Sequence, residues 1–262
     1  MAEITAAMVK TLREQTSQGM MECKKALQEA NGDVEAARDI LRKKGLVKAE
    51  KKADRATSEG LIGIRKLDGA AVMVEARCET DFCARNDEFQ AMLAKLIDQA
   101  ARQPAGPITA TDAMKDAVQA ALAKISENMS FARGIKIAAP RIGTYLHHNK
   151  KVGVVVGVEG EISDETLSDL CMHIAFADPM GINSADVPAE LVEKERRFAR
   201  EEAIASGKPA EIAEKMVEGK IRKFLADRAL VEQLFIRDNK KKVKDILGKA
   251  KVVAFARYAV GG

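Results

Sequence analysis

Histidine and cysteine are the side chains of this 262-residue sequence that most readily support nucleophilic catalysis or metal binding. A nucleophilic hydrolase needs a serine or cysteine beside a histidine that an acid orients, yet only three histidines occur and no GxSxG segment is present. Neither a GxxxxGK[ST] phosphate loop nor a GxGxxG turn occurs. We therefore expect no catalytic residues, no cofactor and no enzymatic activity.

The spacing of the histidines and cysteines also argues against a metal site. His147 and His148 are adjacent on a predicted strand, where neighbouring side chains face opposite sides, and His173 lies among apolar residues on a predicted helix. The four cysteines lack a second pair with zinc spacing, a pattern typical of reduced thiols in the cytoplasm (Cys23, Cys78, Cys83 and Cys171). Cys78 and Cys83 form a C-x4-C pair, which leaves a redox role open.

The segment TDFCARNDEF, residues 80–89, follows a predicted strand and leads into a predicted helix. Loops at such junctions often carry recognition residues because a rigid scaffold positions them. The pair Asp81-Phe82 is therefore the strongest candidate for a binding surface. The alternative is structural, with Phe82 as a core aromatic and Asp81 as a helix cap.

Composition and charge describe a folded protein without strong attraction to nucleic acid. Apolar residues make up 47% of the chain, and 43 basic residues nearly balance 39 acidic ones. The amino-terminal MAEITAAMVK lacks the apolar run of a signal peptide, and no stretch approaches the length of a membrane-spanning helix. These features predict a cytoplasmic protein with no membrane partner.

Residues 1–55 are predicted to form a three-helix domain and a basic linker. Asn31-Gly32 ends the second helix, Asp33 caps the third, and Gly45 ends it. The run from Lys43 to Arg55 is typical of a solvated linker. A nucleic-acid patch is the alternative, although the run has no interleaved aromatic residues.

Residues 56–140 and 141–262 are predicted to form two related α+β halves with antiparallel sheets, each built as a strand hairpin followed by a helix. Asp68-Gly69 predicts the first tight turn, and residues 148–150 predict the second. The expected strands are 61–67, 71–78, 135–138, 142–147 and 152–158, and the expected helices are about 89–100, 112–125 and 165–177.

The second half is predicted to contain an inserted antiparallel helical hairpin at about 188–236. Its first helix carries Leu191, Val192, Phe198 and Ile204, and residues 206–209 break the pattern. The apolar stripe is narrow, so we expect the hairpin to protrude. A lysine-rich turn at 240–244 and a strand at 252–259, which rejoins a sheet, complete the chain.

Several segments together resemble the bacterial elongation factor Ts family. They are ITAAMVKTLREQTSQGMMECKKALQEANGDVEAARDILRKKG, TDFCARNDEF, SGKPAEIAEKMVEGKIRKF and VVAFARYAVG, and the match covers nearly the whole chain. The resemblance implies a fold with a ubiquitin-associated-like helical domain, a two-part α+β core and a protruding coiled coil. The family motif often reads TDFV, whereas Cys83 replaces the valine here.

The resemblance also implies a function. Members of that family exchange guanine nucleotide on elongation factor Tu, which would be the partner, in translation elongation. By this resemblance Thr80, Asp81, Phe82 and Cys83 would press on the GTPase and disturb its Mg²⁺ site. His147 would face the phosphate-binding side of the partner, and Arg13, Met20 and Met21 would dock the helical domain.

Three alternatives stay open at this point. Met20 and Met21 are equally compatible with plain helix packing. The basic stretches Lys43 to Arg55 and Lys240 to Lys251 are compatible with a ribosome- or RNA-associated adaptor. The Cys78 and Cys83 pair is compatible with a thiol-dependent redox enzyme.

Overall fold

The computed structural model describes residues 4–16, 18–50, 54–125, 127–205, 207 and 209–262, with the backbone alone for 45–50. The chain divides into two compact units. The first contains Met1–Gly63, Val74–Ile135 and Ala259–Gly262, and the second contains Ile64–Met73 and Lys136–Tyr258. Helices and antiparallel sheets confirm the predicted α+β class.

The amino-terminal helices are α1 (Ala6–Thr16), α2 (Met20–Glu29) and α3 (Val34–Glu50). Asn31 and Gly32 both have positive φ, which explains why α2 ends before them, and Asp33 Oδ1 accepts hydrogen bonds that cap α3. The three helices share one buried cluster (Val9, Leu12, Cys23, Ala26, Leu27, Ala37 and Leu41).

The expected end of α3 at Gly45 is wrong, because the helix continues to Glu50. A glycine inside a helix costs only about 1 kcal/mol relative to alanine, so good helix formers on both sides can carry the helix through it. Part of the predicted linker is therefore helical, while residues 51–53 lie outside the described residues.

The first half of the core contains β1 (Glu59–Leu67), β2 (Ala70–Cys78), α4 (Asp81–Arg85), α5 (Asp87–Ala101), β3 (Gly106–Pro107), α6 (Asp112–Lys124) and β4 (Met129–Ala138). The sheet order is β1-β2-β4-β3. The predicted Asp68-Gly69 turn is confirmed, and Gly69 has φ +62. Strand β4 begins six residues before its expected start at Ile135, and β3 and α4 were not predicted.

Helix α5 packs closely on β1. Its predicted apolar stripe is confirmed, with every member buried (Phe89, Met92, Leu93, Leu96, Ile97 and Ala100). A Cβ built on Gly63 would lie 2.3 Å from Ile97 Cδ1, so the absence of a side chain there permits the close contact. This packing makes α5 a rigid base for the residues just before it.

A buried carboxylate holds the last residues of the chain in the first unit. Glu75 is fully buried and accepts hydrogen bonds from Arg77 Nε at 2.7 Å and Arg133 Nε at 2.6 Å. The two arginines also donate to the carbonyls of Gly262 and Ala259, respectively. A buried charge requires such pairing, and here the pairing also fixes a chain segment distant in sequence.

The second half repeats the hairpin and helix with β5 (Arg141–Leu146), β6 (Val152–Glu159) and α7 (Asp164–Ala177). Strand β5 pairs antiparallel with β6, with Arg141 opposite Val158 and Leu146 opposite Gly153. The last strand, β9 (Lys251–Ala259), joins them in the order β5-β6-β9, which confirms that the end of the chain returns to a sheet.

The predicted helical hairpin consists of α8 (Ala189–Ala205) and α9 (Ala210–Arg228), and residues 206 and 208 of the expected break lie outside the described residues. Its interior differs from the expectation. Ala199 and Ala203 are buried against Val217 and Ile221, whereas Phe198 and Ile204 are exposed. Small residues permit close helix approach, so alanines occupy the contact that the larger residues were expected to fill.

The expected lysine-rich turn at 240–244 is also wrong. Strand β8 (Asp238–Lys242) pairs antiparallel with β7 (Leu234–Phe235), and α10 (Val243–Leu247) follows at once. Solvent-exposed lysines are common on short edge strands, where they discourage further pairing.

Candidate functional site

Two helices, α4 and α5, begin in close succession after β2, and each begins at a side-chain cap. Thr80 is the N-cap of α4, and its Oγ1 accepts a hydrogen bond from the Cys83 amide at 3.2 Å. Asn86 is the N-cap of α5, and its Oδ1 accepts from the Glu88 amide at 2.9 Å. A helix of five residues is not stable alone, so α4 depends on these caps and on its packing.

Phe82 lies on the outer side of α4. Its side chain is 79% exposed, whereas the next two residues, Cys83 and Ala84, are buried. The alternative interpretation of Phe82 as a core aromatic is therefore wrong. An aromatic ring left in water forgoes about 1.5–3 kcal/mol of burial, and its place between a strand and a helix makes Phe82 a candidate contact residue.

Asp81 is the first residue of α4 and is not its cap, because Thr80 holds the extended conformation of an N-cap. The Asp81 carboxylate instead lies 3.0 Å from Arg85 Nη2, one helical turn later. Asp81 and Phe82 thus present a negative charge and an aromatic ring side by side at the surface.

The Cys83 side chain faces the interior and is 3% exposed, so the expectation that it contacts a partner must be corrected. Hydrogen bonding with Cys78 and burial raise the pKa of the Cys83 thiol above its usual range. The Cys78 thiol donates to the Thr80 carbonyl at 3.2 Å. Protonated, buried thiols are poor nucleophiles, which argues against the redox interpretation.

Glu127 is a site residue that the sequence reasoning missed. One of its carboxylate oxygens accepts from the Thr80 amide at 3.0 Å, and the other accepts from Thr80 Oγ1 at 2.9 Å. The neighbouring Asn128 amide donates to Glu79 Oε1 at 2.6 Å. Glu127 lies 47 residues from Thr80, and no local sequence signal connects them.

The amino-terminal helices carry a second exposed surface. Met20 and Met21 are 57% and 64% exposed, so the alternative that they pack between helices is wrong. With Arg13, Val9 and Lys24 they line an open groove of about 860 Å³. Lys10 and Glu14 also line the groove, and the flexible methionines make it an adaptable surface.

His147 lies just beyond the end of β5, in the second unit, whereas the other predicted site residues belong to the first. Tyr145 Oη is 2.7 Å from His147 Nδ1, and the His147 and His148 rings lie in tilted contact with centroids 4.2 Å apart. The argument that these rings face opposite sides is wrong, because both residues follow the strand. No cluster of three potential metal ligands occurs among the described residues.

His173 is a buried core histidine, 1% exposed, within α7. The Ile236 amide donates to its Nδ1 at 3.3 Å, so its Nε2 carries the proton and donates to Gln233 Oε1 at 3.0 Å. Burial lowers the pKa of His173 below its ordinary value of 6.5. The contacts describe a structural histidine.

An exposed apolar patch in the second unit was also missed. Phe176, at the end of α7, is 78% exposed, and with Leu234 and Ile236 it lines a cavity of about 410 Å³. Phe176 lies off the buried stripe of α7, which contains Leu167, Leu170 and Ile174. Helical periodicity alone would therefore have identified it as an outward-facing residue.

The basic residues near the end of the chain are partly neutralised. Lys242 Nζ and Lys244 Nζ lie 2.7 and 2.8 Å from the Glu232 carboxylate, and Lys241 lies 3.6 Å from Asp238. The two lysines lower the pKa of Glu232 below its usual range. This pairing reduces the positive charge that a nucleic-acid surface requires.

No helix within the part of the chain that the structure describes combines the length and the apolar character needed to cross a bilayer.

The chain is similar in sequence to known proteins of one family. The sequence model of the family "Elongation factor TS" matches residues 79–262. The chain is 47% identical to elongation factor Ts of Haemophilus influenzae over 264 residues, which cover 100% of this chain and 92% of the relative. It is 44% identical over 274 residues to that of Aeromonas hydrophila, with coverages of 100% and 92%.

A third relative is elongation factor Ts of a Nitratiruptor species, to which the chain is 41% identical over 284 residues, covering 98% of this chain and 93% of the relative. A protein with this fold and these relatives is a translation elongation factor. The chain belongs to the elongation factor Ts family.

Proposed function

We propose that this protein is a guanine-nucleotide exchange factor that binds elongation factor Tu and promotes release of GDP. The observation that carries the proposal is the 79% exposure of Phe82 on α4, a short helix with a side-chain cap at its start and a second capped helix directly after it. Membership of the elongation factor Ts family supports the identity of the partner.

The mechanism requires displacement and no covalent chemistry. A GTPase holds GDP through phosphate contacts and through Mg²⁺, which demands nearly ideal octahedral coordination. Phe82 inserts between side chains near the nucleotide, and the Asp81 carboxylate disturbs the groups that hold the Mg²⁺ shell. Each factor of ten in GDP affinity needs only about 1.4 kcal/mol of differential binding, an amount that a single well-packed aromatic supplies.

The remaining surfaces provide affinity. Arg13, Met20 and Met21 dock the amino-terminal helices on the partner, and His147 contacts the phosphate-binding side. Thr80 supports the inserted residues without needing a direct contact, because its side chain is engaged by Glu127 and by the Cys83 amide.

The direct experiment measures release of labelled GDP from elongation factor Tu in the presence of excess unlabelled nucleotide. The release rate should rise with the concentration of this chain and approach a maximum. A release rate that does not change over micromolar concentrations of the chain would reject the exchange function.

Thermodynamic coupling supplies an independent test. If the chain lowers the affinity of elongation factor Tu for GDP, then GDP lowers the affinity of the GTPase for the chain by the same factor. Excess GDP should therefore dissociate the complex, and the nucleotide-free complex should be the tightest. A complex equally stable with and without GDP would contradict the mechanism.

Salt dependence distinguishes this function from an RNA-associated adaptor. Affinity for RNA should fall steeply as salt rises, because binding releases counterions. Affinity for elongation factor Tu should fall much less, because Phe82, Met20 and Met21 contribute apolar contact.

A further inference from the structure

We infer that Glu127 is a positioning residue for nucleotide exchange, which holds Phe82 in its exposed orientation by acting through Thr80. This role rests on the exchange function proposed above. Glu127 would not touch the GTPase or the nucleotide, and its effect would pass through hydrogen bonds within the first unit.

The contact is bidentate. Glu127 Oε2 accepts from the Thr80 amide at 3.0 Å, and Glu127 Oε1 accepts from Thr80 Oγ1 at 2.9 Å. Hydrogen bonds to a carboxylate are shorter and stronger than those between neutral groups. The two bonds fix both the backbone and the side chain of Thr80.

The direction in which the Thr80 hydroxyl proton points affects the cap of α4. A threonine hydroxyl has one proton and two lone pairs. With its proton directed at Glu127, the Thr80 hydroxyl presents a lone pair to the Cys83 amide N–H, which lies 3.2 Å away. Glu127 thereby orients the hydroxyl for the cap of α4, the helix that carries Phe82.

A further contact joins the same two segments in the opposite sense, and another reaches Arg55. The Asn128 amide donates to Glu79 Oε1 at 2.6 Å, and Asn128 Nδ2 donates to the Arg55 carbonyl at 2.9 Å. Residues 127–128 and residues 79–80 thus exchange side-chain contacts. The end of β2 is attached to the residues before β4 immediately before the exposed loop begins.

Phe82 does not anchor its own helix, because most of its ring lies in water. The orientation of α4 depends on the caps and on the burial of Cys83 and Ala84. Loss of the Glu127 carboxylate would leave the Thr80 hydroxyl proton without its fixed acceptor. The hydroxyl could then rotate away from the Cys83 amide, and the ring would sample orientations that do not insert.

The test compares full-length variants in release of a fluorescent GDP analogue from elongation factor Tu. The concentration of the chain is varied so that the maximal rate and the half-saturating concentration are separated. Glu127→Ala should lower the maximal rate about fivefold, while the half-saturating concentration changes less than about twofold, because the docking surfaces stay intact. An unchanged maximal rate for Glu127→Ala would overturn the inference.

The conservative variant and a matched glutamate provide the controls. Glu127→Gln should recover most of the maximal rate, because Glu127 Oε2 lies 3.0 Å from both the Thr80 N–H and Thr80 Oγ1, so a single amide oxygen there can accept from both. Glu88→Ala removes another glutamate of the same unit, whose carboxylate binds Lys124 Nζ at 2.9 Å, and it should leave the maximal rate unchanged. Equal losses in Glu88→Ala and Glu127→Ala would reduce Glu127 to a general structural role and reject its positioning role.

Two further measurements locate the effect. Thr80→Val should resemble Glu127→Ala, and the double variant should be no slower than Thr80→Val alone, because both changes remove one pathway. If the losses of maximal rate in the two single variants add in the double variant, Glu127 does not act through Thr80.

Hydrogen exchange at the Cys83 amide should accelerate in Glu127→Ala, whether or not the chain acts on elongation factor Tu. Absence of exchange activity in the unmodified chain would reject the proposed function, whereas a fully protected Cys83 amide in Glu127→Ala would reject the positioning role.

Discussion

The two halves of the core pass from hairpin to helix in different ways. In the second half, β6 ends at Glu159 and the chain enters α7 at Asp164 with one cap, in which Ser163 Oγ accepts from the Thr166 amide at 3.1 Å. In the first half, the five-residue helix α4 intervenes before α5, and two caps are needed, Thr80 and Asn86.

The difference between the two junctions shows which features are needed to connect a hairpin to a helix. The second junction demonstrates that one cap and a short connection suffice to lead from a hairpin into a packed helix. The first junction contains an additional helix, α4, with its own cap. Hydrogen bonds join its cap residue Thr80 to Glu127, and Phe82 on this helix is exposed. Cys83 and Ala84 pack into the core, but the exposure of Phe82 is not needed for that packing and agrees with the proposed contact with a partner.

The largest expected effect comes from removing the ring. Phe82→Ala should slow catalysed GDP release by about tenfold or more, since an aromatic at the centre of a contact can carry 2 kcal/mol or more, or about thirtyfold. Circular dichroism and melting temperature should stay close to those of the unmodified chain, because the ring is exposed.

The matched control is Phe176→Ala, which removes a phenylalanine of nearly equal exposure from the second half. Its maximal rate should remain within about twofold of normal, because it lies on a packed helix without an inserted loop. Equal losses for the two variants would remove the distinction between the two junctions.

A smaller effect is expected from removing the caps. Thr80→Ala and Ser163→Ala should each lower the free energy of unfolding by about 1 kcal/mol, the usual value of an N-cap. Only Thr80→Ala should also slow GDP release, by about fivefold, because only that cap orients a recognition residue. Urea unfolding and GDP release, measured on the same samples, make the comparison. Slower release by Ser163→Ala would show that stability alone controls activity.

The amino-terminal helices carry a surface that, in the proposed function, binds the GTPase without displacing its nucleotide. The double change Met20→Ala and Met21→Ala should raise the half-saturating concentration about fivefold and leave the maximal rate almost unchanged, because these side chains contribute binding that GDP release does not alter. A titration of exchange rate against concentration separates the two quantities. A lower maximal rate with an unchanged half-saturating concentration would instead show that these methionines act in the displacement of GDP.

The smallest expected effect concerns pH and belongs to the second half. Burial lowers the pKa of His173, so below about pH 6.5 the unfolded chain binds more protons than the folded chain. Stability should therefore fall as pH decreases from 7.5 to 5.5, by at most about 1.4 kcal/mol per pH unit. Urea unfolding of the unmodified chain and His173→Gln measures this contribution.

The variant should unfold more easily at pH 7.5 but lose less stability at pH 5.5. Parallel pH profiles would exclude His173 as the source. The buried Cys83 thiol of the first half has a raised pKa and stays protonated throughout this range, so it supplies no such dependence.

Local patterns predicted much of the architecture. The Asp68-Gly69 turn, the end of α2 at Asn31-Gly32 and the apolar stripe of α5 each depend on neighbouring residues alone, and each is confirmed. Errors occurred where flanking helix formers or the packing of facing helices outweighed a local signal. Helix α3 continues through Gly45, and the interior of the helical hairpin contains alanines in place of the expected larger residues.

For the candidate site as well, the sequence indicated the location and the structure decided the orientation of the side chains. Asp81 and Phe82 could be located from their place between a strand and a helix, but the choice between a core and a surface role for Phe82 required its burial. The outward direction of Phe82 and the inward direction of Cys83 result from how α4 packs. Cys83 was therefore wrongly expected at the surface.

By itself, the order of residues determined most of the longer helices and strands, two of the turns, the family, and the segment to which recognition was assigned, because these depend on periodicity, on characteristic segments and on backbone preferences over short distances. Tertiary structure alone decided that Glu127 binds Thr80 across 47 residues and that Phe82 faces water. Such contacts depend on which surfaces the packed sheet and helices bring together, and no local pattern in the chain encodes that pairing.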